Sequence, residues 1–274
     1  MRIAVIVPCF NDGAVVGDAV ASARAVPEAV ELVVVDDGSS DPSTAAALDA
    51  LEADGVRVLR QDNTGVAGAR TAALAATTAP YVFPLDADDL LEPATLPLLA
   101  DALDADPAAA VCYGDYAEFG DRGELVRATP ERLDPFRVAY ANEYPVTALY
   151  RRSALEQIGG WHTIGYEDWD LWMALAERGF GAVHAGPGVV TYRRRFHGER
   201  RLTRDKRNHR ATYRELRSRH PTLFGRAREH RAASDLSPLR KALYPVVYGG
   251  RPRFGWEARA KAALDRAGVW TLRR

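Results

Sequence analysis

Asp86 and Asp88 stand two residues apart in the stretch PLDADDLLEP, directly behind the apolar run Tyr81-Val82-Phe83, with Asp89 and Glu92 close after them. Carboxylates this dense at the end of a buried strand suit one of two roles. They can hold a divalent cation, because Mg²⁺ and Mn²⁺ take carboxylate and diphosphate oxygens together and alternation keeps positions i and i+2 on one side of a strand. Alternatively, Asp88 or Asp89 caps a helix starting near Pro93, which fits capping preferences well. In the metal reading, Asp86 and Asp88 face the ligand while Asp89 and Glu92 start the following helix. A second acidic group, Glu167-Asp168-Trp169-Asp170, has the makeup of a helix's first turn, where the dipole favours negative charge, and Asp170 would then point away from Asp168. A third, Asp36-Asp37-Gly38-Ser39-Ser40-Asp41, is rich in turn formers.

Such residues need a scaffold to bring them together. Short runs of β-forming residues recur at 3–7, 31–35, 56–60, 81–85 and 109–113, separated by Ala-rich segments at 12–25, 42–53, 65–78 and 93–105. Strands alternating with helices predict an α/β fold with a mostly parallel sheet covered on both faces. Ligands in such sheets bind beyond the C-terminal strand ends, and polar residues collect there after each of the first four runs. Downstream, TALYR at 147–151 predicts another strand, and Gly159-Gly160-Trp161 a turn. A helix beginning near Glu167 has Trp169, Leu171, Trp172, Leu175 and Ala176 for its apolar face. From Arg193 the spacing reads as helical and then irregular, with breaks at Pro245, Gly249, Gly250 and Pro252.

Composition narrows the function classes. The 274 residues are 47% hydrophobic and 27% charged, which is ordinary for a globular chain with a sizeable core. Neither G-x-G-x-x-G after the first run nor G-x-x-x-x-G-K-[ST] occurs, so a glycine-rich phosphate cradle is excluded. The longest stretch free of Asp, Glu, Lys and Arg is the 15 residues 71–85, short of the roughly 20 that a membrane helix needs. The N-terminus, MRIAVIVPCFND, reads as an immediate first strand rather than a signal peptide, which implies cytoplasmic residence. Cys9 and Cys112, each in an apolar run, read as reduced core residues. The net charge of −1 hides 15 Lys and Arg against 4 Asp and Glu between Arg193 and Arg231, a local balance of +11.

Taken together, VIVPCFND, VVVDDGSSD, NTGVAGARTAAL, PLDADDLLEP, GYEDWDLWMALAERG and YRRRFH, in this order and spacing, resemble glycosyltransferase family 2, the inverting nucleotide-sugar transferases of the GT-A fold. The likeness covers residues 1–200. It implies an α/β, Rossmann-like nucleotide-binding sheet with helices on both faces. Residues 1–113 would form the nucleotide-sugar half and 114–200 the acceptor half, followed by a basic, mainly helical C-terminal extension over 201–274.

The resemblance also implies roles. Pro8, Phe10, Asn11 and Asp37 would hold the nucleotide base, and Asn63 and Arg70 would lie near the diphosphate. The family often has Asn where this chain has Thr71. Asp86 would touch ribose or metal, Asp88 would ligate a Mn²⁺ or Mg²⁺ ion on the diphosphate, and His197 would supply a third ligand. Inverting transfer needs the acceptor hydroxyl deprotonated as it attacks, and Asp168 matches the family's catalytic base, with Glu167 beside it. Aromatic faces pack against sugars, so Trp161 and Trp169 are candidate acceptor contacts, while Trp172 is expected in the core.

The implied activity is transfer of a hexosyl-type sugar from a nucleotide-diphosphate sugar, UDP favoured, to a hydroxyl on a glycan, lipid-linked or small-molecule acceptor. Two alternatives stand beside it. A sugar-1-phosphate nucleotidyltransferase would want a Gly-rich basic loop where this chain has PCFNDGAV, and a catalytically weak glycan-binding or scaffolding subunit would have no need of intact Asp37, Asp86, Asp88 and Asp168. The Arg-rich stretch suits an anionic membrane surface at the inner face, a clamp on the donor diphosphate and the chain's own acidic face, or a plain solvated helix. With only Tyr213 and Phe224 interleaved, nucleic acid is not expected.

Overall fold

A computed structural model describes residues 1–121, 123–196 and 202–248. The first half runs β1 (Ile3–Cys9), α1 (Val16–Arg24), β2 (Val30–Asp36), α2 (Pro42–Ala53), β3 (Arg57–Arg60), α3 (Gly65–Ala75), β4 (Tyr81–Pro84), β5 (Leu90–Leu91), α4 (Leu96–Ala105) and β6 (Ala109–Tyr113). There follow β7 (Asp115–Gly120), β8 (Leu125–Arg127), α5 (Pro135–Val138), β9 (Leu149–Arg151), α6 (Arg152–Ile158), α7 (Glu167–Glu177), β10 (Gly181–His184) and β11 (Val190–Phe196). The described C-terminal part is helical: α8 (Leu202–Arg219), α9 (Pro221–Gly225), α10 (Ala227–Ala233) and α11 (Pro238–Tyr248).

Seven strands form the main sheet in the order β10-β6-β9-β4-β1-β2-β3, and β5-β11-β7-β8 form a smaller one. In the main sheet every neighbouring pair is parallel except those made by β9, which runs antiparallel to both β4 and β6. Strand alternation divides the core. Val5, Val7, Phe83 and Cys112 pack on one face against α1 and α4, whereas Ile6, Val82, Val111 and Tyr113 pack on the other against α3, α6 and α7. Helices therefore cover both faces, as near-continuous apolar strands require. Tyr213 and Leu216 of α8 and Leu223 of α9 belong to the second of these clusters, so the C-terminal helices share the core of the sheet.

Helix α2 shows how locally encoded some boundaries are. Asp41 caps it by accepting from Ser43 N at 3.0 Å, and Pro42 occupies the first helical position, where its missing N–H costs nothing. Three expectations are corrected. The helix after the acidic turn begins at Leu96, not near Pro93, and β5 intervenes. Asp89 therefore caps no helix; it accepts from Arg195 N at 2.9 Å across the small sheet, while Glu92 N donates to Thr191 O. The run from Arg193 to Phe196 is strand β11 rather than helix, because it pairs in parallel with β7. Finally, α11 passes through Pro245: the ring removes one ladder hydrogen bond, and the neighbouring Tyr244 is held by burial against Phe136. Cys9 and Cys112 are free and buried.

Candidate active site

The C-terminal ends of β1, β2, β3 and β4 meet along one edge, where Asp37 N donates to Cys9 O, Gln61 N to Asp36 O and Leu85 N to Ile6 O. Asn11, in the left-handed region at φ 59°, ties the first two loops together: its Oδ1 accepts from Ser40 N and Asp41 N, each at 2.9 Å, and its own N donates to Ser39 Oγ. A strained residue of this kind persists only where its surroundings fix it. Pro8 ends up buried inside β1 and Phe10 half-buried beyond it, while Asn63 is exposed.

Asp37 is buried at 3% exposure. Its Oδ1 accepts from Thr64 N at 2.9 Å and Gln61 Nε2 at 2.8 Å, and its Oδ2 from Gly65 N at 2.8 Å. The carboxylate thus holds the start of α3, whose first N–H groups have no partner within the helix. Gly38 beside it has φ 72°, and a Cβ there would sit 2.8 Å from Asn63 N, so the close approach of these two loops depends on glycine.

Arg70 occupies the centre. It is buried in α3, donates through Nη2 to Asp86 Oδ1 at 2.7 Å, and brings Nη1 to 4.0 Å from Glu167 Oε1. Burial opposes its charge, but Asp86, Glu167 and Asp168 outweigh that and hold its pKa above the ordinary value. Its Nε and Nη1 are buried without a hydrogen-bond partner among the described residues. One guanidinium thereby links the acidic turn after β4 to the first turn of α7. A buried arginine is tolerable only with such compensation.

The acidic turn is shaped by β11. Arg195 donates its N to Asp89 Oδ1, its Nε to Asp88 O at 3.0 Å and its Nη2 to Asp18 Oδ2 at 2.8 Å. Burial first, then the neighbouring Asp86 and Asp88, push the Asp89 carboxyl well above the usual range. Asp86 and Asp88 remain half-exposed. Among the described residues no three His, Cys, Asp or Glu side chains converge as a complete metal cage. Two hard carboxylate donors at a strand end fit an ion that shares its remaining positions with diphosphate oxygens and water. His197 lies outside the described residues.

On the other side of Arg70, α7 starts from Tyr166, itself left-handed at φ 78°, and presents Glu167 and Asp168. Asp168 Oδ1 accepts from Trp169 N at 2.8 Å and Oδ2 from Asn142 Nδ2 at 2.7 Å. Burial and then Glu167 push the Asp168 carboxyl up to about 6, against the opposing pull of Trp169 N and Arg70. A base with a pKa near the working pH is well matched to accept a proton.

Asp170 does turn away from Asp168. It is 1% exposed and accepts from His162 Nδ1 at 2.7 Å, Arg219 Nε at 2.8 Å and His220 Nε2 at 3.0 Å. Burial alone would raise it, but those three partners pull the carboxyl down to about 2. His220 in turn touches Glu177 Oε2 at 2.9 Å, and the two acids hold its pKa above the ordinary value against burial.

Trp161, Trp169 and Trp172 are packed inward. Trp169 donates Nε1 to Val138 O at 2.6 Å and tilts against Tyr213, and Trp161 meets Tyr150 edge-on at 6.2 Å with its Nε1 buried and without a partner among the described residues. Trp172 is fully buried and donates to Pro145 O. Asn142 and Arg195 were not singled out from the sequence. Each acts across 26 or more positions, and no spacing rule reaches that far. Part of the Arg-rich segment folds onto the chain's own acids, with Arg193 on Glu124, Arg194 on Glu118 and Arg219 on Asp170.

A family model described as glycosyl transferase family 2 matches residues 4–159. The chain belongs to this family. Among curated relatives, a succinoglycan biosynthesis protein, ExoU of Rhizobium meliloti, is 42% identical over 96 residues, covering 34% of this chain and 28% of that protein. The chain thus spans well under half of that relative's length. Among solved structures, Staphylococcus aureus TarS 1–349 in complex with UDP-GlcNAc superposes with a TM-score of 0.62 at 16% identity, covering 98% of this chain and 78% of that one. A mannosyltransferase from Pyrobaculum calidifontis, in complex with GDP-Man and Mn²⁺, gives 0.57 at 23% identity, covering 97% and 76%. These likenesses establish the GT-A glycosyltransferase fold. Among the described residues no helix is long and apolar enough to cross a membrane.

Proposed function

We propose that this family 2 chain is a metal-dependent inverting glycosyltransferase that moves a sugar from a nucleotide-diphosphate sugar, UDP favoured, to a hydroxyl acceptor. The observation that supports the reading is the buried Arg70 joining Asp86 to the Glu167–Asp168 turn, which gathers around one guanidinium the carboxylates read here as donor-side and acceptor-side. The nucleotide base would lie against the turn of Pro8, Phe10 and Asn11 and beside Asp37, with Asn63 toward the diphosphate. Asp86 and Asp88 would hold Mn²⁺ or Mg²⁺, with His197 as a further candidate; the ion, when bound, offsets charge on the departing diphosphate. Arg70's unpartnered N–H groups supply positive charge from the protein side.

Asp168 takes the acceptor's hydroxyl proton as that oxygen bonds to the anomeric carbon from the face opposite the diphosphate. The bond to the diphosphate oxygen breaks in the same step, so configuration inverts. Trp161 and Trp169 back the acceptor side. The acceptor class is a glycan, lipid-linked or small-molecule hydroxyl. The basic C-terminal part suits peripheral contact with an anionic membrane, at the inner face if the chain is cytoplasmic.

The test is calorimetry of UDP and GDP binding with and without Mn²⁺, followed by turnover of the best-bound nucleotide sugar and NMR of the product's anomeric configuration. Asp88→Ala is expected to abolish the metal-dependent part of nucleotide affinity, and Asp168→Asn to spare affinity while cutting turnover by about 10³-fold or more. Wild-type turnover in both variants would refute the assignment.

A further inference from the structure

Resting on the reading of Asp168 as the base, we propose that Asn142 is its positioning residue, a side-chain amide that fixes the direction of the carboxylate and favours its ionised form. The contact is short, 2.7 Å from Nδ2 to Asp168 Oδ2. The amide's orientation is settled by its partners: a carboxylate needs a donor, and Asn142 Oδ1 accepts from Tyr144 N at 3.4 Å on the other side. With Trp169 N on Oδ1, both oxygens of the base are held, one by α7's own backbone and one from a separate loop.

That loop is tied down on both sides of Asn142. On the α5 side, Trp169 Nε1 binds Val138 O and Tyr213 OH binds Ala139 O; beyond it, Trp172 Nε1 binds Pro145 O at 3.0 Å. Tyr144 packs on Trp172 with ring centres 4.8 Å apart, and Arg137 pairs with Glu143 at 2.7 Å, both nearly buried. Asn142 is thus carried between two anchored points, each tied to α7 itself. A residue built this way transmits geometry rather than filling space. Nucleophiles and bases in enzyme sites recurrently need such a third group to orient them.

Charged and titratable groups facing Asp168 are Glu167 from α7, Arg70 from α3 and Tyr150 from β9. Glu167 disfavours the carboxylate form and Arg70 favours it. Asn142 adds a neutral donor to the favouring side without a counter-charge that would compete for the acceptor's proton. A hydrogen bond donated to the charged form lowers a carboxyl's pKa.

The experiment is carboxyl-carbon NMR titration of the full chain labelled at aspartate, with Asp168→Asn identifying the resonance, alongside the pH dependence of UDP-glucose and UDP-N-acetylglucosamine turnover with water as acceptor. Asn142→Ala is expected to move the Asp168 midpoint up by about one pH unit and to lower turnover about tenfold, with nucleotide affinity unchanged. Asn142→Asp should move it further, because a second carboxylate then faces the first, and Asn142→Gln should restore part of the shift. An unmoved midpoint in folded Asn142→Ala and Asn142→Asp overturns the proposal. If instead the midpoint moves but Asp168→Asn turns over as fast as wild type, it is the base reading that falls, and the two failures are told apart.

Discussion

Asp170 offers the sharpest quantitative test of how the C-terminal helices are held. In the folded chain its carboxyl sits near 2, against an ordinary value of 3.8, because His162, Arg219 and His220 all converge on it in a nearly waterless position. A depressed carboxyl contributes stability that is present above the unfolded-state value and is lost as pH falls toward the folded-state value. A shift of that size corresponds to about 2 kcal/mol at neutral pH, of which about 1 kcal/mol is gone by pH 3. His220 has the opposite sign. Its raised pKa gives stability that is complete below about pH 6.5 and fades as pH rises through the folded value. Asp170→Asn keeps the shape but strands two cationic partners around a neutral amide, and breaking a buried pair in this way costs about 3 kcal/mol. Urea unfolding of wild type and variant at pH 7, 5, 4 and 3 is the assay. The gap between them should be about 3 kcal/mol at pH 5, where the His220 contribution is complete, and shrink by about 1 kcal/mol at pH 3. A gap that stays constant across that range would show that Asp170 is not held as a charged hub, and the reasoning would fail.

Four further outcomes follow from the structure. With Asp168 as the proposed base, turnover should rise with pH through its midpoint of about 6 and level off above it, because only an ionised carboxylate accepts a proton; a flat profile from pH 5 to 8 would contradict this. The same raised midpoint means that the folded state binds a proton more tightly than the unfolded one, so Asp168 makes folding stability fall as pH rises from about 4 to about 6, and Asp168→Asn should unfold at a higher temperature than wild type at pH 7.5 but not at pH 4. Arg70→Met should shift the acid limb of the turnover profile upward, since Arg70 favours the ionised Asp168, and kinetic titration reads it directly. Gly114→Ala should lose about 1–3 kcal/mol in urea unfolding, because the added Cβ would lie 2.5 Å from Val189 O and 2.7 Å from Thr191 Cγ2.

Much of this was legible in the sequence where information is local. The runs at 3–7 and 109–113 are strands, Pro42 to Ala53 is a helix with its cap in place, and Glu167 opens α7. Periodicity and cap chemistry act within a few residues, so they can be read without knowing the fold. What failed was non-local. Nothing around Arg193 to Phe196 announces a strand, since four charged and aromatic residues are held there by pairing with β7, a segment some 76 positions away. Asp89 looked like a helix cap because its true donor, Arg195 N, is 106 residues downstream. At the site, the acidic positions were readable as types, but Asn142 was invisible because an asparagine in an irregular loop carries no signal until the loop is seen beside α7.

The seating of the C-terminal helices has a consequence for how such chains diverge and can be recombined. The family match ends at residue 159, yet Tyr213, Leu216 and Leu223 line the same interior as Ile6 and Val82, and Arg219 and His220 neutralise an acid in α7. A chimera that takes its tail from a relative must therefore import matching partners at His162, Asp170 and Glu177 as well, or graft a foreign end onto an exposed interior and an uncompensated charge. Substitutions in the C-terminal helices and at the positions of α7 that they touch are thereby coupled, as the two sides of one joint.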